Sequence, residues 1–388
     1  MPKVLVVDDS ALMRRLITGV LGAEGYETQI AHNGSEGVEK LVQWQPDVVT
    51  LDINMPEMDG LTALSLMMAA RPTPVVMVSS LTEEGALATF EALALGAVDF
   101  ITKPGGTISL SIQEIEKQLL GKVRSALRAR PKPGGTARAT ASPRPAARPA
   151  PAPTRRLHHT PHATSAGAQT APHRPSQATR TAGASGLHLV LIGVSTGGPR
   201  TLEDILPALP ADLPAAVVVA QHMPPNFTDA FAKRMDRLCA MRVREVNSPL
   251  PLEHGQIYVG QGGTDIILME RLGRLVVTPK PETPGHPWHP SADVLVESAM
   301  RHLPPDQLTG VLLTGMGNDG ATAMAQLKRH GGRTIAEAES TAVVFGMPQE
   351  LIHKDGATVV LPCHEIARQL IGWLDRSERT HHGIAKSH

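Results

Sequence analysis

Three residues able to support ester chemistry stand at matching places in the second half of the chain. Ser195 follows the apolar run Leu189–Ile192 in HLVLIGVSTGGPR, His222 follows Ala215–Ala220, and Asp319 lies in TGMGNDG after Leu308–Leu313. A serine hydroxyl is a weak nucleophile at neutral pH. A histidine within hydrogen-bond reach can take its proton, and a carboxylate can hold that imidazole in the right tautomer. Glycine turns around Thr196 and Met316 offer backbone N–H groups to an oxyanion. The chemistry would be acyl transfer to Ser195, followed by hydrolysis. Ser195 alone, in a glycine-rich turn, would mean little; the three strand ends together carry the reading. Gly193, Ser195 and Gly197 also spell G-x-S-x-G, but the order Ser, His, Asp differs from the Ser, acid, His order of α/β-hydrolases, so that fold is not implied. Asp319 can also cap the next helix, which is compatible with a triad. His254, His286 and His289 stand at no strand end and are expected at the surface or rim. No G-x-G-x-x-G follows a strand and no G-x-x-x-x-G-K-[ST] occurs, which argues against a nucleotide site.

A second constellation lies near the start of the chain. Asp8 and Asp9 end the run Val4–Val7, Asp52 ends Asp47–Leu51, Ser79 ends Pro74–Val78, and Lys103 follows Asp99–Thr102. One acid at a strand end is readily a helix cap. Five polar residues at the ends of parallel strands share one sheet edge. Gathered carboxylates repel one another unless a cation joins them, and oxygen ligands suit a hard divalent metal such as magnesium. With a lysine and a hydroxyl beside them, the edge could accept a phosphoryl group on a carboxylate.

The elements that would position these residues follow from periodicity. In residues 1–129, five apolar strands alternate with five helical patterns, which predicts a parallel, doubly wound sheet. Residues 187–376 again alternate strands and helices, predicting a second, mostly parallel α/β domain, with a tail at 377–388. Between them, residues 130–186 are mostly Pro, Ala, Arg, Thr, Ser, Gly and His, with PRPAARPAPAP at Pro143–Pro153. Such a segment cannot build a core and reads as a disordered, basic tether. Lys+Arg and Asp+Glu are both 37, yet no acid lies between Glu116 and Glu203, an interval holding 14 basic residues. These basic residues are spaced and not interleaved with aromatics, so a solubilising tether fits better than nucleic-acid binding. Two cysteines far apart suggest no disulfide framework and a cytoplasmic location. No signal peptide and no run long enough to span a membrane is read.

The motifs VVDDS, LDINMPEMDG, VVMVSS and DFITKP resemble the receiver domain of two-component response regulators. The resemblance makes Asp52 the phosphoacceptor. Asp9, Asp52 and the Asn54 carbonyl would hold Mg2+, with Asp8 acting through water. Ser79 and Lys103 would meet the phosphoryl group, and Phe100 is the switch aromatic. A histidine kinase would be the phosphodonor.

With GVSTGG, QHMPPNFT, PSADVL, LLTGMGNDG and VVFGMP added, the chain resembles the chemotaxis response-regulator protein-glutamate methylesterases, also protein-glutamine glutaminases. That resemblance assigns Ser195, His222 and Asp319 as the triad and chemoreceptor helices as substrate. It implies a receiver that covers the active site until phosphorylated, no cofactor in the catalytic domain, and a monomer. The alternative is a receiver-linked binding module acting by protein–protein interaction outside motility. There are departures from the family pattern: Gly260–Asp265 replaces the usual Ala-Pro-Gly stretch, His289 stands before Pro290 beside Trp288, and Asn226 stands where glycine is common. The tether is long, and the tail from Arg376 lacks an aromatic-containing receptor-tethering pentapeptide.

Overall fold

The computed structural model describes residues 1–79, 82–103, 112–129 and 186–384. The tether expected over 130–186 lies, but for Gly186, outside the described residues, as does the end of the tail. No described helix is long and apolar enough to cross a membrane.

The first part runs β1 (Lys3–Val7), α1 (Ala11–Ala23), β2 (Glu27–Ala31), α2 (Gly34–Trp44), β3 (Val48–Asp52), α3 (Gly60–Ala70), β4 (Val75–Ser79), α4 (Glu83–Leu95), β5 (Asp99–Thr102) and α5 (Ile112–Arg128). All strands are parallel, in the order β2-β1-β3-β4-β5. Strands β3 and β4 are buried along their whole length, as continuous Val/Leu/Met runs in a doubly covered sheet should be. Short polar caps start the helices at the site edge. Ser10 Oγ accepts from the Met13 N–H at 3.5 Å, and Asp59 Oδ1 accepts from the Thr62 N–H at 2.8 Å.

The second part begins with β6 (His188–Val194), α6 (Gly198–Ile205), β7 (Ala215–Gln221) and α7 (Pro225–Leu238). It continues through β8 (Arg242–Val246), β9 (Leu250–Pro251), β10 (Gln256–Gly260), β11 (Asp265–Arg271), β12 (Arg274–Lys280) and α8 (Ala292–Met300). It closes with β13 (Leu308–Leu312), α9 (Ala321–Arg329), β14 (Arg333–Glu337), α10 (Met347–His353), β15 (Val359–Leu361) and α11 (Cys363–Ile384). Seven strands form a parallel sheet in the order β15-β14-β13-β6-β7-β10-β8, and β11, β12 and β9 make a separate antiparallel sheet. From β6 the chain first builds outward through β7, then returns to the other flank at β13. The carboxyl ends of β6, β7 and β13 therefore meet at a switch point of strand order, where open α/β sheets keep their sites.

The reading from sequence omits β8, β9, α10 and α11. Strand β8 is a mixed-polarity edge strand, RVREV, without an apolar run to mark it. Helix α6 starts at Gly198, with Pro199 in its first turn, where a missing N–H costs nothing.

The two parts share apolar surface. Phe100 on β5 packs on Phe227 of α7 with ring centroids 4.5 Å apart, and Phe90 on α4 meets Phe227 at 6.4 Å and Phe231 at 5.7 Å. All four rings are buried. Nearer the switch point, Ser125 Oγ of α5 donates to Met316 Sδ at 3.2 Å, and Val344 is buried among core residues of the first part.

Candidate active site

Ser195 leaves β6 into a turn whose shape is set by two glycines. Gly197 has φ 79°, a conformation that favours glycine. Gly198 leaves room for the Gln221 carboxamide: a Cβ there would lie 2.0 Å from Gln221 Oε1. Gln221 Nε2 in turn donates to the Ser195 carbonyl at 3.0 Å and to the His222 carbonyl at 3.1 Å, so one buried amide ties the two strand ends together. The His222 N–H donates to the Val194 carbonyl at 3.0 Å, which sets the histidine beside the serine on the neighbouring strand. Ser195, His222 and Asp319 are each 7% exposed.

His222 Nε2 and Asp319 Oδ2 are 2.8 Å apart. The other ring nitrogen, Nδ1, is buried and has no hydrogen-bond partner among the described residues. Asp319 also sits at the amino end of α8. It accepts from the Ala292 N–H at 2.7 Å, the Asp293 N–H at 3.2 Å and Ser291 Oγ at 2.7 Å. Burial pushes the Asp319 carboxyl up, but His222 and these donors outweigh it and hold it below the usual carboxylate range. Because the folded value is depressed, the stability Asp319 adds is fully present above the unfolded value of about 3.9 and is lost as pH falls through the folded one. The gap in thermal midpoint between the wild type and Asp319→Asn should therefore be no smaller at pH 5 than at pH 8, and should shrink only below about pH 4. A gap that closed between pH 8 and 6 would contradict this account.

The loop after β13 is tied to the Ser195 turn by Thr314. Its carbonyl accepts from the Ser195 N–H at 2.9 Å, and its Oγ1 donates to the Thr196 carbonyl at 2.8 Å and accepts from the Val344 N–H at 2.9 Å. The Thr314 N–H donates to Glu337 Oε2 at 2.9 Å, a fully buried carboxylate at the end of β14. Among the described residues, no partner takes the backbone N–H of Thr196 or of Met316.

Four positions of the site have no role in the sequence reading. Gln221 and Glu337 could have had one, since each ends a strand at the same sheet edge. Asp265 and Trp288 carry no such signal. Fully buried Asp265 accepts from the Thr283 N–H at 2.8 Å, from the Ser291 N–H at 3.0 Å and pairs with His289 Nδ1 at 2.9 Å. His289, expected at the rim, is thus drawn inward as an anchor; its side chain is only 12% exposed. Trp288 stacks on the His222 ring, with centroids 5.5 Å apart and planes 13° from parallel.

The edge of the first sheet gathers Asp8, Asp9 and Asp52, whose carboxylate oxygens lie within 4.8 Å of one another. Lys103 Nζ is 2.7 Å from Asp52 Oδ2 and 3.3 Å from Asp8 Oδ2. Burial pushes both carboxyls up, against the pull of Lys103. Asp8 Oδ2 is buried and makes no hydrogen bond, because the lysine approaches it at ion-pair distance without aligning. Ser79 Oγ, expected at the phosphoryl group, donates to the Gly85 carbonyl at 3.1 Å and accepts from Thr89 Oγ1 at 2.9 Å. Phe100 is buried against Phe227, as described above.

Residues 190–370 match the family described as CheB methylesterase, and residues 4–113 match the response regulator receiver domain. A Rhodospirillum rubrum protein named protein-glutamate methylesterase/protein-glutamine glutaminase 3 is 51% identical over 391 residues, covering 100% of each chain. The chain belongs to the CheB methylesterase family. Another protein-glutamate methylesterase/protein-glutamine glutaminase, from Rhodopseudomonas palustris, is 48% identical over 379 residues, 96% of this chain and 98% of its own. One from Carboxydothermus hydrogenoformans is 44% identical over 376 residues, 95% and 98% of the two chains. In this methylesterase family member, Ser195 and His222 directly follow the adjacent strands β6 and β7, Asp319 lies in the loop after the neighbouring β13, and the acid cluster belongs to its receiver domain.

Proposed function

We propose that this chain is a phosphorylation-controlled serine hydrolase. It demethylates glutamate γ-methyl esters on methyl-accepting chemoreceptors and deamidates particular glutamines there. The His222–Asp319 pair at 2.8 Å, beside Ser195 at the switch point, carries the reading. Ser195 Oγ attacks the ester carbonyl and passes its proton to His222. Since Nε2 is taken by Asp319, the accepting nitrogen is Nδ1, the reverse of the arrangement in chymotrypsin-type triads. The N–H groups of Thr196 and Met316 meet the oxyanion. His222 then returns the proton to the leaving methoxide, methanol departs, and water attacks the acyl group on Ser195 to give glutamate. With a glutamine substrate the leaving group is ammonia. The catalytic part needs no cofactor for this. The full-length relatives carry the same two activities in their names, which favours this reading over a binding module in another pathway.

In the receiver, Asp8 Oδ2, which accepts no hydrogen bond, and the three close carboxylates fit a hard divalent cation. Asp9, Asp52 and the Asn54 carbonyl would hold Mg2+, with Asp8 reaching it through water. The ion would supply charge neutralisation for a phosphoryl group on Asp52. Lys103, already on Asp52, would pair with that group, and Ser79 would leave α4 to meet it. Phe100 follows the hydroxyl, and in doing so leaves Phe227. A chemotaxis histidine kinase is the phosphodonor, and the protein works as a cytoplasmic monomer.

Methanol release from methylated receptor membranes tests this. The rate should rise several-fold with a small phosphodonor and Mg2+. In Asp52→Asn the basal rate should persist and the stimulation should vanish. Stimulation that survived in Asp52→Asn would remove Asp52 from its role.

A further inference from the structure

The His222 ring is held at its edge by Asp319, but its face is covered by a residue from elsewhere in the chain. Trp288 lies over it nearly parallel, 13° between planes and 5.5 Å between centroids. This is the offset-stacked geometry in which an aromatic face attracts a cation. Trp288 is carried by the segment between β12 and α8, and both ends of that segment fasten to one carboxylate. Asp265, fully buried, takes the Thr283 N–H on one side of Trp288 and His289 Nδ1 and the Ser291 N–H on the other. The Gly263 N–H adds a bond to the His289 carbonyl at 3.2 Å. Ser291 then bonds Asp319 itself through its hydroxyl. The indole is therefore fixed in the same hydrogen-bonded frame as the acid that orients the histidine.

We infer that Trp288 is a positioning residue for His222: it fixes the imidazole plane and favours the imidazolium that forms when Ser195 gives up its proton. The inference rests on the triad reading given above. Neutral imidazole gains little from the indole face, whereas the charged ring is attracted to it. An interaction that strengthens as charge develops lowers the barrier without tightening substrate binding, so its loss falls on kcat and leaves KM in place. A substrate wall would behave the other way, since truncation would raise KM. Wedged against the ring, the indole also keeps His222 from turning its Nε2 away from Asp319.

The test compares Trp288→Leu and Trp288→Phe with the wild type, each as the full chain with Mg2+ and a small phosphodonor. Leucine keeps an apolar cover without a π face, and phenylalanine keeps the face. Two rates are read. One is methanol release from methylated receptor membranes, resolved into kcat and KM. The other is loss of fluoride from a small alkyl fluorophosphonate as its phosphorus bonds to Ser195 Oγ, with the serine proton leaving through His222. That reagent needs the activated serine and makes no use of receptor contacts. Trp288→Leu should lower kcat and the phosphonylation rate about tenfold each, with KM unchanged, and Trp288→Phe should stay within about twofold of wild type. Wild-type rates in Trp288→Leu, equal losses in the two variants, or a change confined to KM would overturn the inference. A wild-type protein that is phosphonylated no faster than Ser195→Ala would instead strike the triad reading itself, which separates the two failures.

Discussion

Ser195→Ala should release methanol on the order of ten-thousand-fold more slowly than the wild type, or below detection, while binding methylated receptor membranes as before. The size of the effect follows from the site's construction. The Gln221 amide and the Thr314 carbonyl bond the backbone of Ser195 and the Gly197–Gly198 turn follows it, so replacing its hydroxyl leaves them in place. What disappears is the acyl-enzyme route, and only the oxyanion donors and substrate placement remain to assist water. His222→Ala should lose about as much, and the double variant hardly more, because nucleophile and base act as one unit. Activity is measured as volatile methanol, with thermal midpoints as the check on folding. A Ser195→Ala protein that kept full activity would end the triad assignment. Losses that multiplied in the double variant would mean that His222 serves some other step.

The second large effect concerns the receiver. A chain beginning at Leu187 should release methanol faster than the unphosphorylated whole protein, by tenfold or more if the open form is the usual minor state of about 0.1–10%. Two contacts give the physical reason. The aromatic group Phe90, Phe100, Phe227 and Phe231 binds the receiver to α7, the helix that follows His222. Met316, whose N–H is an oxyanion donor in the proposed mechanism, is packed beneath Ser125 of α5. Each fully buried ring contributes roughly 1.5–3 kcal/mol, so the closed arrangement has ample apolar surface to hold it. A phosphoryl group on Asp52 need only change the seat of Phe100 to weaken it. The shortened chain bares Phe227 and Phe231, so it should also associate more readily, and rates are best compared at several dilutions. A rate equal to or below that of the whole unphosphorylated protein would exclude inhibition by the receiver.

Much of this architecture is legible in the residues because parallel sheets gather polar strand ends along one edge. Asp8, Asp52 and Ser195 each directly follow a mostly apolar run, His222 and Lys103 come one residue further on, and a run that stops at a polar residue can be read without coordinates. Glu337 obeys the same rule at the end of β14. Helix α11 carries the helical spacing Ile366, Leu370, Leu374 and is equally open to periodicity. What could not be read are the contacts between distant loops. Trp288 reaches His222 only because Asp265 draws its segment inward, and nothing local to PGHPWHP announces that. Ser79 is a different case. Its place is plain from sequence, but the bonds its hydroxyl makes to the Gly85 carbonyl and with Thr89 Oγ1 on α4 have no local signal.

The spacing of the catalytic groups along the chain bears on how the protein is made. His222 and Asp319, 2.8 Å apart in the fold, are separated by 97 positions, and between them lie the whole antiparallel sheet and α8. Contacts of such long sequence separation slow folding, because the loop between them must be closed before they repay its entropy. During synthesis the receiver can fold as soon as it leaves the ribosome, since domains fold as units from the amino end. On the triad proposed above, the hydrolase half has no working acid until residue 319 emerges. On that triad, a translation product that stops before Asp319 is a silent protein, and the receiver proposed to inhibit the hydrolase half is folded before that half is complete.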